Sequence, residues 1–319
     1  MSTTGSVGAP STVLVCLSGY PRDLVESWVV GAGDVEVVLA EGAPLAQVLP
    51  DLERADIVVG DAARRYPLDA AVLARMWRCR LLVHPAVGLD GVVDLAAAAA
   101  AGIRVVNAPG YNAEAVADWT LLAMLTTLRD GVGADRDLRS DGWHARPLGR
   151  ELGAMTVGIV GFGAIGRAVH RRVRGFGARV LCSDPRPLTA SDTEGATQVD
   201  LDELLAASDL VTLHAPLTDG TRHLLDAARL AGMREGSVLV NAARGELVDE
   251  AALVDALRAG RPAAAALDVF ATEPLPPFSP LLDLDNVFLT PHIAAGTQQA
   301  RQRVRALVRD VIRAELGTA

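Results

Sequence analysis

The chain has 319 residues, half of them hydrophobic and 22% charged, which fits a globular protein of about two domains and excludes extended disorder. Its 39 acidic and 30 basic residues leave a net charge of −9, so a broad basic face for nucleic acid or anionic lipid is not expected. All 30 basic residues are arginine, which excludes a lysine Schiff base, a pyridoxal phosphate enzyme and a Walker A loop.

The cysteines and the N-terminus predict a reduced, cytoplasmic protein. Cys16, Cys79 and Cys182 form no CxxC pair, which argues against a disulfide framework or a zinc site. No other side chains have the spacing of metal ligands, so no metal is expected. The segment Met1–Ser11 lacks the positive charge of a signal peptide, and no apolar run is long enough to span a membrane.

Short β-branched runs alternate with alanine-rich and leucine-rich segments in the first part of the chain. The predicted strands are Thr12–Leu17, Val35–Leu39, Ile57–Val59, Leu81–Val83 and Ile103–Val106. Helices are predicted over Pro67–Trp77 and Gly91–Ala101. This βαβ alternation predicts a parallel sheet with helices on both faces.

A long helix is predicted over Ala113–Asp130, with Asn112 as its side-chain cap and Gly131 after its last turn. Its residues are mostly apolar, so we expect burial nearly all round, between domains or between subunits. The following stretch, Asp130–Gly153, is polar and is predicted to be irregular.

A second series of strands begins after this stretch. The predicted strands are Thr156–Val160, Arg179–Cys182, Leu210–Leu213, Ser237–Asn241, Ala264–Val269 and Val287–Leu289. The last segment, Thr297–Leu316, is predicted to be one charged amphipathic helix. Both halves of the chain therefore have the pattern of a doubly wound sheet.

A glycine-rich turn follows the first strand of this second series. The sequence Gly161-Phe162-Gly163-Ala164-Ile165-Gly166 leads into a helix predicted over Ala164–Arg174. In a strand–turn–helix context it predicts a dinucleotide site, with the pyrophosphate at the helix N-terminus. Asp184 ends the next strand, where a carboxylate favours the ribose hydroxyls of NAD and repels the 2′-phosphate of NADP. The nearby Arg186 keeps NADP open as the second choice.

Polar segments follow the last three predicted strands. They are Asn241-Ala242-Ala243-Arg244-Gly245, Asp268-Val269-Phe270 with Glu273, and Thr290-Pro291-His292. Open α/β sheets bind ligands at this edge. Arg244 can hold a carboxylate and polarise a neighbouring carbonyl, His292 can exchange a proton near neutral pH, and Glu273 can stabilise the imidazolium. Together they predict the reduction of a charged carbonyl compound.

With these motifs, the chain resembles the D-isomer-specific 2-hydroxyacid dehydrogenases from about Ala55 to Leu307. The matching segments are Val157–Gly166, Leu213–Thr218, Asn241–Asp249, Leu267–Phe270 and Thr290–Ala294. The resemblance implies an α/β fold of two doubly wound parallel-sheet domains with an active-site cleft between them. Residues 1–110 and 295–319 would form a flavodoxin-like substrate domain, and residues 111–294 a Rossmann NAD domain. The long apolar helix would form part of a homodimer interface in the NAD domain.

The resemblance also implies the roles of individual residues. Arg244, Glu273 and His292 would be catalytic, and the substrate would be bound by Arg244, His292 and the backbone amides of Val87 and Gly88. Asp268 would hold the nicotinamide amide. The full set of cofactor-binding residues would be Gly161, Phe162, Gly163, Ala164, Ile165, Asp184, Pro185, Arg186, His214, Ala215, Pro216, Thr221, Ala242, Asp268, His292, Ala294 and Thr120.

The predicted function is hydride transfer between NAD(H) and a 2-keto or D-2-hydroxy acid, mainly as a 2-ketoacid reductase. Glu273 stands where formate-specific members have glutamine, which argues against formate. Gly60-Asp61 stands where phosphoglycerate dehydrogenases usually have Arg-Ser, and a carboxylate would repel a phosphate, although Arg64 and Arg65 lie close by. His84 either lines the pocket or simply ends a strand.

Two alternatives remain open at this point. An NAD(H)-sensing protein of the corepressor type would have the same fold and the same site residues. A reductase for a phosphonate-bearing or unusually bulky 2-ketoacid would also fit, because specificity residues are scattered over loops.

Overall fold

The computed structural model describes residues 12–40, 42–140 and 142–318. The segment Met1–Ser11, over which no signal peptide is expected, lies outside the described residues. The chain divides into two compact units. One contains the residues up to Tyr111 and those from Arg301 onward, and the other contains Asn112–Ala300.

The elements follow one another in βα alternation. The strands are β1 Thr12–Cys16, β2 Val35–Leu39, β3 Ile57–Val59, β4 Leu81–Val83, β5 Arg104–Val106, β6 Thr156–Val160, β7 Arg179–Ser183, β8 Thr197–Gln198, β9 Leu210–Leu213, β10 Val238–Asn241, β11 Ala264–Leu267 and β12 Val287–Leu289. The helices are α1 Arg22–Trp28, α2 Leu45–Arg54, α3 Ala70–Leu73, α4 Leu95–Ala100, α5 Ala113–Leu128, α6 Gly131–Ser140, α7 Ala164–Gly175, α8 Ala190–Thr193, α9 Leu201–Ala207, α10 Ala227–Gly232, α11 Glu250–Arg258 and α12 Gln298–Glu315.

The first unit is built on a parallel sheet in the order β2-β1-β3-β4-β5, which is the flavodoxin-like order. Side chains of β1 alternate between its two faces, because successive residues of a strand point to opposite sides. Val13 and Val15 belong to one apolar core. Leu14 and Cys16 belong to the other, together with Val308 of α12.

The second unit contains a parallel sheet in the order β12-β11-β10-β9-β6-β7-β8. This is the Rossmann strand order with one further strand at its edge. The order reverses between β6 and β9, and ligands of such sheets bind outside the strand ends at that point. The predicted α/β fold class is therefore confirmed for both units.

The predicted strands are confirmed, and the largest difference is at β11, which ends at Leu267 rather than Val269. The helix predicted over Pro67–Trp77 is wrong in length, because Asp69 caps a short α3 by accepting a bond from Val72 N and the helix ends at Leu73. The helix predicted from Gly91 likewise begins only after Asp94, whose side chain caps α4. No prediction covered the strand β8 or the helices α1, α2, α8, α9, α10 and α11.

The long helix α5 is confirmed, but it ends at Leu128 rather than Asp130. Asn112 stands at its N-terminus, but its side chain makes no capping bond. Within the single chain, Leu122 is 53% exposed on a face that also carries Glu114 and Asp118, so burial of this face against a second subunit stays a prediction. The stretch predicted to be irregular contains the helix α6, which an Arg139–Asp135 pair one turn apart supports.

Within the described residues, no helix combines the length and the apolar character needed to cross a membrane.

Candidate active site

The glycine-rich turn after β6 packs tightly against the end of β9. Gly161 has a φ of +87°, and a Cβ there would lie 2.7 Å from the amide nitrogen of Ala215 and from the carbonyl oxygen of His214. At Gly166 a Cβ would overlap the carbonyl oxygen of Gly161, so α7 packs directly on the turn. Only glycine allows both approaches.

The N-terminus of α7 faces open space. Gly163 caps the helix without a side chain, and a Cβ placed there would meet no atom within 4 Å. Ala164 is exposed, Ile165 is half-buried and Phe162 is fully buried, so backbone amides dominate the surface in front of the helix. Free amides and the helix dipole make this a site for an anionic group such as a pyrophosphate.

A groove of about 1160 Å³ runs along the carboxyl ends of β6, β7 and β9. Its lining includes nine of the residues predicted to bind the cofactor: Gly161, Gly163, Asp184, Pro185, Arg186, His214, Ala215, Pro216 and Thr221. The sequence pattern placed these residues on separate segments, and the sheet brings them to one edge.

Asp184 fixes the shape of the groove where β7 ends. Its Oδ2 accepts a bond from Phe162 N at 2.9 Å, and its Oδ1 accepts bonds from Arg186 N at 3.1 Å and Arg186 Nε at 3.2 Å. Burial alone would raise the pKa of Asp184, but these amides and the guanidinium lower it below its usual value. Asp184 is therefore an ionised acceptor, while the Arg186 side chain is 65% exposed.

His214 contributes a neutral ring beside the groove. Burial lowers the pKa of His214 to about 3. Its Nε2 lies 3.0 Å from the hydroxyl of Thr212, and its buried Nδ1 has no hydrogen-bond partner among the described residues. Thr221 orders the next loop by donating to the carbonyl of Pro216 at 2.7 Å.

Glu273 and His292 come together at the ends of β11 and β12. Oε2 of Glu273 lies 2.7 Å from Nδ1 of His292, the distance of a charge-assisted hydrogen bond. His292 is held at a φ of +53°, in the left-handed region that non-glycine residues rarely adopt. Because Glu273 occupies Nδ1, a proton exchanged with a substrate would come from Nε2.

Asp268 holds the His292 loop in place. The carboxylate is fully buried, and it accepts bonds from Ile293 N at 2.8 Å, from Ala294 N at 2.7 Å and from the hydroxyl of Thr290. Its backbone carbonyl also accepts a bond from His292 N at 2.8 Å. The sequence suggested a cofactor contact for Asp268, but not this network, which binds the loop from both sides of His292.

Arg244 lies on a turn that a buried asparagine shapes. Nδ2 of Asn241 donates to the carbonyl of Arg244 at 2.9 Å, and Oδ1 of Asn241 accepts from Ala243 N at 3.0 Å. Asn241 is 1% exposed, and its position at the end of a buried strand was the signal that could have identified it. Ala242 is half-buried in the same turn.

Thr120 is a predicted cofactor residue in the interior of the second unit. It is fully buried in α5, where its hydroxyl donates to the carbonyl of Val116 at 2.8 Å. Its one hydroxyl proton is therefore used within the helix.

In the first unit, Val87 is exposed and Gly88 is half-buried in the loop after β4. Asn107 supports this loop by donating from Nδ2 to the carbonyl of Val87 at 2.6 Å. His84 is fully buried just before it, and burial lowers the pKa of His84 to about 4. Of the two readings of His84, a buried residue at a strand end fits the structure.

The charges after β3 are paired with one another. Asp61 is 2% exposed and accepts bonds from Arg65 N and Nε, each at 2.9 Å. The neighbouring Arg64 pairs with Asp90 at 3.0 Å. These guanidinium groups are therefore already engaged by carboxylates.

Comparison with known proteins places this geometry in a family. Residues 121–294 match the family described as "D-isomer specific 2-hydroxyacid dehydrogenase, NAD binding domain". The chain is 40% identical over 296 residues to the D-3-phosphoglycerate dehydrogenase of Mycobacterium leprae, covering 92% of this chain and 55% of that protein. It is 40% identical over 248 residues to the glyoxylate reductase of Korarchaeum cryptofilum, covering 76% and 74% of the two chains.

A solved structure agrees with these relatives. The D-lactate dehydrogenase of Aquifex aeolicus, complexed with NAD and lactic acid, superposes with a TM-score of 0.82 at 29% identity, covering 96% of each chain. The chain spans about half the length of the mycobacterial relative. Its second unit is an NAD-binding domain, and the chain belongs to the D-isomer-specific 2-hydroxyacid dehydrogenase family.

Proposed function

We propose that this protein is an NAD-dependent oxidoreductase that interconverts 2-keto acids and D-2-hydroxy acids, mainly in the direction of reduction. The observation that carries the proposal is the pair of Glu273 and His292, 2.7 Å apart. The pair lies at the strand ends of an NAD-binding domain, on the same sheet edge as Arg244. A proton donor, a carboxylate-binding cation and a nicotinamide are the parts that this reduction needs.

The groove and the glycine-rich turn fit the cofactor. The open space before α7 suits the pyrophosphate, and Asp184 suits the ribose hydroxyls. Pro185, Arg186, His214, Ala215, Pro216 and Thr221 would line the adenosine end. Ala242, Asp268, Ala294 and Thr120 would lie toward the nicotinamide, as the family resemblance implies. When bound, NADH supplies the hydride that reduces C2 of the keto acid.

The chain's own residues supply binding and the proton. Arg244 binds the carboxylate of the keto acid and polarises its carbonyl. Nε2 of His292 donates a proton to the oxygen at C2, and Glu273 stabilises the imidazolium before the transfer. The backbone amides of Val87 and Gly88 also bind the carboxylate.

The substrate class is a 2-keto acid without a phosphate group. The pairing of Arg65 with Asp61 and of Arg64 with Asp90 supports this choice, because an added phosphate would meet carboxylates there. The similarity to a D-3-phosphoglycerate dehydrogenase favours a phosphorylated substrate instead. Direct competition between phosphorylated and unphosphorylated keto acids decides between the two.

The test is NADH oxidation by the purified protein with a panel of 2-ketoacids. The panel runs from glyoxylate and hydroxypyruvate to branched, aromatic, phosphonate-bearing and phosphorylated acids. We expect turnover with small uncharged side chains and a much lower kcat/KM with 3-phosphohydroxypyruvate. Binding of NADH without turnover of any acid would contradict the proposal.

We further propose a cytoplasmic homodimer formed through the NAD-binding domain. The support is a concentration of exposed apolar side chains in α5, α6 and the segment after them, since such concentrations mark association surfaces. These side chains are Leu122, Val132, Leu138, Trp143 and Leu148. A monomer mass in light scattering at micromolar concentration would contradict the dimer. The corepressor alternative has no support, since the relatives described above are dehydrogenases and reductases.

Cofactor preference is expected to depend on the charge of Asp184. Asp184→Asn removes the charge but keeps an acceptor for the Phe162 amide. We expect the preference for NADH over NADPH to fall roughly fivefold to tenfold, since repulsion between two charges is worth about 1 kcal/mol in water at 4 Å. The ratio of kcat/KM for the two cofactors measures this, with the exposed Asp255→Asn as the control. An unchanged ratio would show that Asp184 does not discriminate.

A further inference from the structure

The turn that carries Arg244 packs directly against the peptide bond between Phe270 and Ala271. A Cβ at Gly245 would overlap the carbonyl group of Phe270 and the amide nitrogen of Ala271. Backbone therefore lies on backbone at this point, with no side chain between. The loop after β10 and the loop after β11 are joined there.

Carboxylates hold both amides of this segment. Glu250 is the first residue of α11, and its Oε2 accepts a bond from Ala271 N at 3.0 Å. Glu273 accepts a bond from Phe270 N through Oε1 at 3.1 Å. The other oxygen of Glu273 is the one that lies 2.7 Å from Nδ1 of His292. The direction of the Glu273 carboxylate thus depends on where the Phe270–Ala271 segment lies.

Glu250 is well placed to fix that segment. It is half-buried and sits at the start of a regular helix whose N-cap, Asp249, accepts a bond from Ala252 N. The Ala271 amide, in contrast, is on an irregular and exposed loop. A helix-borne carboxylate that binds a loop amide transfers the rigidity of the helix to the loop.

We propose that Glu250 is a positioning residue, which holds Ala271 and thereby directs the Glu273 carboxylate toward His292. This inference rests on the proposed function, because it assigns Glu250 a place in the acid–base chemistry. The segments packed against the pair carry three charged side chains: Arg244 after β10, Asp268 after β11 and Glu250 at the start of α11. Glu250 acts on His292 only through the backbone and Glu273.

Three variants separate the hydrogen bond of Glu250 from its charge. Glu250→Ala removes both, Glu250→Gln keeps an acceptor for Ala271 N, and Asp255→Ala removes an exposed carboxylate from the same helix. We expect kcat to fall about tenfold in E250A, short of the ~100-fold that a displacement of about 1 Å can cost. The KM for the keto acid should change little. E250Q should stay within about threefold of the parent, since it keeps the bond, and D255A should match it.

The pH profile tests whether the effect passes through Glu273. Reduction consumes the imidazolium proton, which the Glu273 carboxylate stabilises, so activity should extend to a higher pH when that carboxylate is correctly placed. Glu273→Gln should lower the upper pH limit of kcat. E250A should lower it in the same direction, and E250Q should not. In the E273Q background, E250A should have less than about a twofold further effect, because the two changes act on one interaction.

A loss in E250A that is equal at all pH values, or that persists in full in the E273Q background, would overturn the proposal. Hydrogen exchange gives a readout that does not need activity. The amides of residues 268–275 should exchange faster in E250A than in E250Q. If the parent protein reduces no keto acid, the proposed function fails, and equal exchange in the two variants would then overturn the positioning role separately.

Discussion

Replacing His292 with alanine is expected to lower keto acid reduction by about 10²–10⁴-fold, the contribution that a positioned proton donor makes. NADH binding should persist, because the groove at β6, β7 and β9 is built from other residues. Stopped-flow fluorescence for NADH binding and steady-state turnover for reduction separate the two effects.

Alanine at this position also changes the backbone, which lies at a φ of +53°. His292→Asn is the matched control, because asparagine adopts the left-handed region more readily than alanine and cannot donate the proton as an acid. We expect the H292N and H292A variants to be equally inactive. Substantial turnover in both variants would mean that His292 is not the proton donor, whereas activity in H292N alone would assign His292 a backbone role.

Gly245→Ala is expected to lower both the stability and the activity of the protein, although it adds only one methyl group. The added methyl group would overlap the Phe270–Ala271 peptide, so the Arg244 turn or the Glu273 loop must move. Overpacking of this kind costs about 1–3 kcal/mol of stability. A shift of about 1 Å at either loop would lower turnover about 100-fold.

Gly175→Ala is the matched control for this change. Gly175 closes α7, and a Cβ there meets no atom within 4 Å, so the substitution should be neutral or stabilise the protein by up to about 1 kcal/mol. Urea unfolding gives the free energies, and kcat/KM gives the activity. Wild-type turnover in G245A would mean that the two loops are not coupled as described.

The sequence was most informative where the chemistry is local. Gly161 to Gly166 specify a turn that needs no partner to be recognised, and buried β-branched runs such as Ile57–Val59 specify strands. The pairing of Glu273 with His292 was also predictable, because each follows a strand of one parallel sheet. Parallel strands bring such ends to a common edge.

Other features depend on contacts that no local pattern contains. Asp69 and Asp94 cap α3 and α4, so these helices begin three and four residues after the predicted starts at Pro67 and Gly91. The capping bonds between side chain and backbone are known only from the structure. Helix α2 carries Pro50 in its interior, which argues against a helix on propensity alone. Glu250 accepts a bond from the amide of Ala271, which is 21 residues away in the chain. No local sequence pattern predicts a contact over this separation.

The strand order also separates the two ends of the candidate site. Asp184 follows β7 and His292 follows β12, with β6, β9, β10 and β11 between these strands. At the usual spacing between strands, the two ends lie about 24 Å apart. Substitutions so far apart should have additive free energies. Cofactor preference at Asp184 can therefore change in evolution, or be redesigned, without a change in the proton transfer at His292 beside β12.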